Sequence, residues 1–446
     1  MVLAIAFVAG GCSGSGEPGP ESRFGPAPAV AGGPLDDRVV AAVERLFANV
    51  DGYFDTSAVG EIGEAGDARM GWFVSDLLRF FHDEMSGAAM VEVFQTLTGE
   101  KLSTADPAHA WLEMTDRLIA WDLPAPPGYA GYKARLFALV EPDWSPFFAD
   151  PEAVIDWRQV TWGGVLMDDR PYGDPSPCTD GCIPALDRPA VTDATGGAWY
   201  PDEGLVFGVQ VNGAARAYPK NVMETHEMVN DTLGGRRIGI PYCTLCNSAQ
   251  AYFTDRAGDE PLVLRTSGLL ARSNKVMFEL RSRSVIDTFT GRALTGSLRR
   301  RGVQLEQITV VTTTWGEWKA AHPETTIVAR DGGIGRTYPD DPLGGRDLGG
   351  PIFPIGDVDP RLPAQQQVLG VLNLAGTPLA FPVEAATAAL RQGRAVEFQG
   401  VELALDGGGL VAMRADGGIA VSHQAFWFAW SQFHPGSLLW TETSER

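Results

Sequence analysis

Residues 206–219 read VFGVQVNGAARAYP, and residues 368–382 read VLGVLNLAGTPLAFP. In each, a short run rich in Val, Leu and Phe leads into a glycine-bearing turn and a second short run. Gly213 stands six residues before Pro219, and Gly376 six before Pro382, with one extra residue just upstream in the second copy. Asn212-Gly213 between two strand-like runs is a strong hairpin signal, because both residues tolerate the positive φ of a tight turn. The likeness continues downstream. TWGEWKAAHPETTIV (314–328) and FWFAWSQFHPGSLLW (426–440) place Trp315, Trp318, His322 and Pro323 at the spacing of Trp427, Trp430, His434 and Pro435. Two anchors at matched ends define an internal repeat. The Trp-x-x-Trp-x-x-x-His spacing puts both rings and the imidazole on one helical face, and proline then stops the helix. Its presence in both units assigns this element to packing each unit's helix on its sheet. Chemistry is therefore expected where the units differ.

The longer unit differs by a segment that reads ARAYPKNVMETHEMVNDTLGGRRIGIPYCTLCNSAQAYF (215–253). Cys243 and Cys246 form a Cys-x-x-Cys, which can serve as a redox dithiol, with Cys243 attacking, or supply two thiolates to a soft metal. It can also be a structural disulfide in a non-catalytic binding or scaffold module. No histidine follows directly, which excludes the c-type haem attachment signature. His226 is the nearest candidate companion, so the metal reading takes His226, Cys243 and Cys246 as ligands for copper or zinc. Glu227 is placed to orient that imidazole. A helix is expected from Val222 to Asn230, and Asn230 with Asp231 is expected to make the turn before Gly234-Gly235. Cys178 and Cys182, in the segment PSPCTDGCIPALDRP, read as a local disulfide.

Outward from this centre the texture changes. Residues 36–150 carry apolar residues at helical spacing, with candidate helices over 38–50, 69–81, 108–121 and 129–140. From 151 onward short Val/Ile/Tyr/Phe runs alternate with turns. The expected fold is α+β: a helical module over 36–150, a β-rich unit over 151–340 and a shortened second repeat unit over 341–446. Residues 1–35 form an apolar run followed by a Ser/Gly/Pro-rich tether. The apolar start, ending Ala9-Gly10-Gly11-Cys12, reads as an export signal with a lipidation site at Cys12. This implies an extracytoplasmic, envelope-anchored protein whose partner is another envelope protein or a small-molecule ligand.

The 446 residues carry 35 basic and 56 acidic side chains, a formal charge of -21, and no basic cluster that would suit nucleic acid. Twelve Trp and 21 Phe require a packed core rather than a disordered chain. No later stretch offers the 18 or so continuous apolar residues of a transmembrane helix. Gly-x-Ser-x-Gly, Walker and His-Glu-x-x-His signatures are absent.

DGCIPALDRPAV, GVQVNGAARAYP, HEMVNDTLGG, YCTLCNSAQAYF, SGLLARSNKVMFE and DTFTGRALTG together resemble the DUF3179 family over roughly residues 175–330, with a degenerate stretch near 368–440. The resemblance implies an exported or envelope-associated protein without an assigned activity. His226, Asn230, Asp231, Cys243 and Cys246 match its first motif, and Ser267, Gly268, Asn274 and Met277 its second. Cys182 interrupts the usual Asp-Gly-Ile-Pro string, which supports a Cys178–Cys182 disulfide peculiar to this chain.

Overall fold

The computed structural model describes residues 22–48, 54–104, 106–255 and 260–442, so Cys12 lies outside the described residues. Helices Asp37–Ala48, Thr56–Glu64, Gly71–Phe80, Glu84–Thr98, Pro107–Ala120 and Tyr129–Ala138 build the N-terminal module. Asp55, Asp83 and Asp106 cap three of them by accepting backbone N–H bonds of the first turn. Two of these helices, Thr56–Glu64 and Glu84–Thr98, are not expected from the sequence. They contain glycines where neighbours press in: a Cβ on Gly63 would meet Val93 at 3.0 Å, and one on Gly87 would meet Pro107 at 2.3 Å. Close packing there outweighs poor helix propensity. The module docks on the β part through aromatic contacts. Trp144 donates its indole N–H to the Ser267 carbonyl at 2.7 Å, and Phe147 packs on Phe278 with ring centroids 5.3 Å apart.

The β-rich part is a five-bladed, propeller-like ring of sheets, so the whole chain is α+β with repeated blades. Two of the blades are the repeat. In the first unit, Val311–Thr314, Leu205–Val211, Ala214–Pro219 and Thr326–Val328 lie side by side; in the second, Ser422–Phe426, Gln367–Leu372, Pro378–Pro382 and Leu438–Leu439 take the same order. The last strand of each set pairs parallel to the second hairpin strand, as the intervening tryptophan helix allows. Those helices are Trp315–Ala321 and Trp427–Phe433. The repeat extends to single contacts. Gly208 and Gly370 are each pressed by an indole ring, from Trp318 and Trp430, that would meet a Cβ at 2.4 Å and 2.1 Å. Trp318 donates to Thr325 and Trp430 to Ser437, both at 2.9 Å, and His322 and His434 each lie tilted against their own Trp with ring centroids 4.1 Å apart.

A further hairpin recurs. Met228–Leu233 and Arg236–Cys243 turn on Gly234-Gly235 (φ 56° and 79°), and Val401–Asp406 and Gly409–Arg414 turn on Gly407-Gly408 (φ 52° and 79°). Such consecutive left-handed residues make the hairpin turn that matches strand twist. Beyond it the units part. The strand Arg236–Cys243 runs on until Cys243 pairs with Ser248 around the turn 244–247, whereas the second unit's pairing ends at Met413 with Ile419, around 414–418. The first unit then inserts the sheet built from Leu264–Ala271, Asn274–Glu279 and Val285–Asp287.

The expected helix Val222–Asn230 is shorter than its apolar pattern suggests. It spans Lys220–His226, and Glu227 ends it in the left-handed conformation (φ 52°), its N–H bonded to the Met223 carbonyl. Asn230 and Asp231 are consequently strand residues, and Gly234-Gly235 alone makes the turn. Asn230 bridges to the inserted sheet by exchanging hydrogen bonds with Leu264, while Asp231 accepts from Arg216 and Tyr218.

The two units face each other across Val310 and Ser422, where the Val310 N–H donates to the Ser422 carbonyl at 3.3 Å. These positions are equivalent, each five residues before the first Trp of its helix. The packing is also reciprocal. Trp315 and Trp318 share a core with Val411 and, at its edge, Met413 of the second unit. Trp427 and Trp430 share a core with Cys243 and Cys246 of the first.

Candidate functional site

Cys243 ends the strand Arg236–Cys243, and the turn Thr244–Asn247 brings Cys246 back beneath it. The two are disulfide-bonded, with Cα atoms 5.3 Å apart. The Phe426 N–H holds the Cys246 carbonyl at 2.8 Å, so the second unit backs the cystine directly. On the other side lies a cleft of about 460 Å³. Cys243 is on its wall together with Glu227, Thr244, Ser267 and Lys275, and the loop from Arg336 to Phe353 forms the opposite rim.

The surroundings of the two sulfurs differ. The Lys275 backbone N–H donates to Cys243 Sγ at 3.4 Å. The Ser273 carbonyl oxygen lies 3.5 Å from Cys246 Sγ and 3.9 Å from Cys243 Sγ. An N–H donor favours a thiolate, whereas a carbonyl oxygen favours a protonated thiol. The pair is therefore polarised: Cys243 faces the cleft and is suited to hold negative charge, and Cys246 is suited to hold a proton.

Lys275 is buried in the inserted strand Asn274–Glu279, and burial brings its ammonium down from the usual lysine range to about 8, with the Glu227 carboxylate opposing that shift. Its Nζ donates to the Glu227 backbone carbonyl and lies 3.4 Å from Glu227 Oε2, while Thr244 donates to Glu227 Oε1 at 3.0 Å. The left-handed backbone at Glu227 aims both its carbonyl and its carboxylate at this spot. A non-glycine residue held in that region carries strain that its surroundings must offset. The sequence reading missed Lys275. The available signal was a lone lysine in the strand NKVMFE, every residue of which is buried.

His226 is held elsewhere. Its Nδ1–H donates to the Pro184 carbonyl at 2.6 Å, and its Nε2 accepts from the Tyr338 hydroxyl at 2.7 Å. Burial lowers its pKa to about 4, so it is a neutral imidazole with both nitrogens occupied. Glu227 contacts Lys275 and Thr244 rather than this ring. Among the described residues, the group of three His, Cys, Asp or Glu donors lying within 4.8 Å of one another is Asp168 with Cys178 and Cys182. Those cysteines are disulfide-bonded, with Cα atoms 5.4 Å apart, and Asp168 also binds Arg170 at 2.7 Å.

The second motif supports the cleft from below. Ser267 donates to the Val276 carbonyl and accepts the Leu269 N–H, and Gly268 (φ 76°) makes a bulge between Thr266 and Leu270. A Cβ on Gly268 would meet the Val165 carbonyl oxygen at 2.2 Å. Asn274 donates to the Arg272 carbonyl, and Met277 is fully buried.

A family profile described as a protein of unknown function, DUF3179, matches residues 180–417, more than half of the chain. The chain belongs to the DUF3179 family. The match runs from the Cys182 turn through the cystine cleft and across the second unit's Gly407-Gly408 hairpin. The match thus extends past the segment with the cysteines into the second unit and ends before its Ser422–Phe426 strand. Comparison with curated proteins and with solved structures found no match. Among the described residues, no helix is long and apolar enough to cross a membrane.

Proposed function

We propose that this protein is a thiol–disulfide oxidoreductase acting outside the cytoplasm, with Cys243 as the exchanging sulfur and Cys246 as its resolving partner. The observation that carries this reading is the asymmetry of the pair: Cys243 is on the cleft wall with an N–H donor on its sulfur, and Cys246 is fully buried against a carbonyl oxygen. A substrate thiolate attacks Cys243 Sγ. The Cys243–Cys246 bond breaks, and Cys246 leaves with the electron pair and takes up a proton. A second substrate thiolate then attacks the substrate sulfur of the mixed disulfide, releasing oxidised substrate and the Cys243 thiolate.

A purely structural role is less well supported. A disulfide closing four residues constrains the unfolded chain by only about 2 kcal/mol in the loop-entropy estimate, well below a long-range staple. A metal role for His226, Cys243 and Cys246 requires the cystine to open and His226 to leave both of its partners; thiol exchange opens the cystine as its own chemistry and leaves His226 in place. Two disulfides among the described residues support an oxidising compartment.

The test is to trap the intermediate. Cys246→Ser, treated with a small disulfide such as that of 2-nitro-5-thiobenzoate, is expected to take up one equivalent at Cys243 within minutes. Cys243→Ser is expected to remain unlabelled at Cys246 until unfolded. A native cystine that dithiothreitol cannot reduce would refute the proposal.

A further inference from the structure

We infer that the cleft admits a low-molecular-weight thiol carrying a carboxylate, and that Arg336 and Arg346 read its negative charge. This rests on the thiol-exchange reading of Cys243 and names the substrate class for the same site.

Size comes first. Cys243 is 2% exposed and Cys246 is 0% exposed, so a thiol on the surface of a folded protein cannot bring its sulfur into line with theirs. The space in front of Cys243 is a cleft of about 460 Å³, in the range that encloses a small molecule or a few residues of chain. In-line attack therefore requires a slender thiol that enters the cleft.

Charge comes second. Three acidic side chains line the cleft, and each already has a cation. Glu224 binds Lys220 at 2.8 Å, Asp347 lies 3.4 Å from the same ammonium, and Glu227 is paired with Lys275. Arg336 and Arg346 also line it, and among the described residues neither guanidinium makes an ion pair. Arg346 donates only to the Leu343 carbonyl of its own loop. Lys220 is shared by two carboxylates, so the three acids and the two lysines leave one negative charge, and the two guanidiniums, which have no carboxylate partner, bring the cleft to a net positive charge in a chain of formal charge -21. Guanidinium groups suit this task because their planar donors match a carboxylate. A thiol with a carboxylate a few bonds away could place its sulfur at Cys243 and its anion at this rim.

The experiment follows reduction of the Cys243–Cys246 cystine in the full chain, by alkylation and mass, with 3-mercaptopropionate, 2-mercaptoethanol and cysteamine as probes. Rates are compared per thiolate, to remove differences in thiol acidity. The expected order is anionic, neutral, cationic, with the anionic probe at least about fivefold faster than the neutral one at low salt and the advantage shrinking as salt is added. In R336Q/R346Q the anionic-to-neutral ratio is expected to fall toward one. Arg394→Gln, which removes a distant surface charge, is expected to keep the ratio. Equal rates for the three probes, or a reduced folded protein dithiol that reacts as fast as the small anion, would overturn the inference and leave thiol exchange standing. A cystine that resists all probes and dithiothreitol would overturn both.

Discussion

The second unit sets Val411 and Met413 against the tryptophans of the first; the first unit sets Cys243 and Cys246 against the tryptophans of the second. The two sets are not equivalent in register: the Gly-Gly hairpins align Val411 and Met413 with Ile238 and Ile240, and the cystine lies where the second unit's strand has already ended. The first unit extends its hairpin strand to Cys243 and adds a sheet, and the added sheet supplies the N–H on Cys243 Sγ, the carbonyl beside Cys246 and the buried Lys275. The second unit keeps the plain version and serves as the wall behind the cystine. The difference separates what holds the fold from what is available for chemistry.

The strongest way to break this comparison is to remove both sulfurs from the first unit. C243V/C246M is expected to lose all thiol exchange in the alkylation assay. Its unfolding free energy, from urea denaturation, is expected to fall by no more than about 2 kcal/mol, because the lost loop is short. A collapse of the fold would instead make the cystine structural.

Next in size are the matched tryptophans. Trp318→Ala and Trp430→Ala each remove a buried ring from the same place in a unit and are each expected to cost about 3–5 kcal/mol in urea unfolding. They are expected to part in one respect. Trp430→Ala should quicken native-state reduction of the cystine by dithiothreitol, because Trp430 belongs to the core that backs it, and Trp318→Ala should not.

Smaller again is the effect of Lys275, a residue of the inserted sheet. Its ammonium titrates near 8 in the folded chain, against 10.5 when free. Between these values the unfolded chain binds more protons, so stability rises with pH through this window, and the full penalty of the buried charge is present below it. At about 1.4 kcal/mol per pKa unit the rise is on the order of 3 kcal/mol. Lys275→Met is expected to flatten that part of the stability profile, measured by urea unfolding from pH 7.5 to 10.5. Variant and parent rising in parallel would place the amine in water.

The sequence displayed the repeat because its anchors are contacts that few residues can make. Gly208 and Gly370 accept an indole ring only without a side chain, and Trp-x-x-Trp-x-x-x-His-Pro must keep its spacing to reach them. The matching Gly-Gly hairpins were not seen as a pair, since VNDTLGGRRIGI and ELALDGGGLVAM share little beyond the turn. Strands need only alternate, and many side chains satisfy that. The cysteines were legible as a close pair, but their surroundings were not. Spacing along the chain made His226 their nearest companion and could not show that its imidazole is held between Pro184 and Tyr338. Lys275 reaches the site from 32 residues beyond Cys243, through an inserted hairpin that spacing along the chain does not reveal.

The Val310–Ser422 hydrogen bond joins two equivalent positions to each other. Like meets like only on a twofold axis, the hallmark of an isologous dimer. The two units thus meet at this point as the halves of a homodimer would, within one polypeptide. True homodimers must carry every mutation twice, whereas the joined form is free of that rule. Here one half carries the cleft, the cystine and the inserted sheet, and among the described residues the other half carries none of them. Asymmetric specialisation of this kind is open to a tandem chain and closed to a symmetric pair.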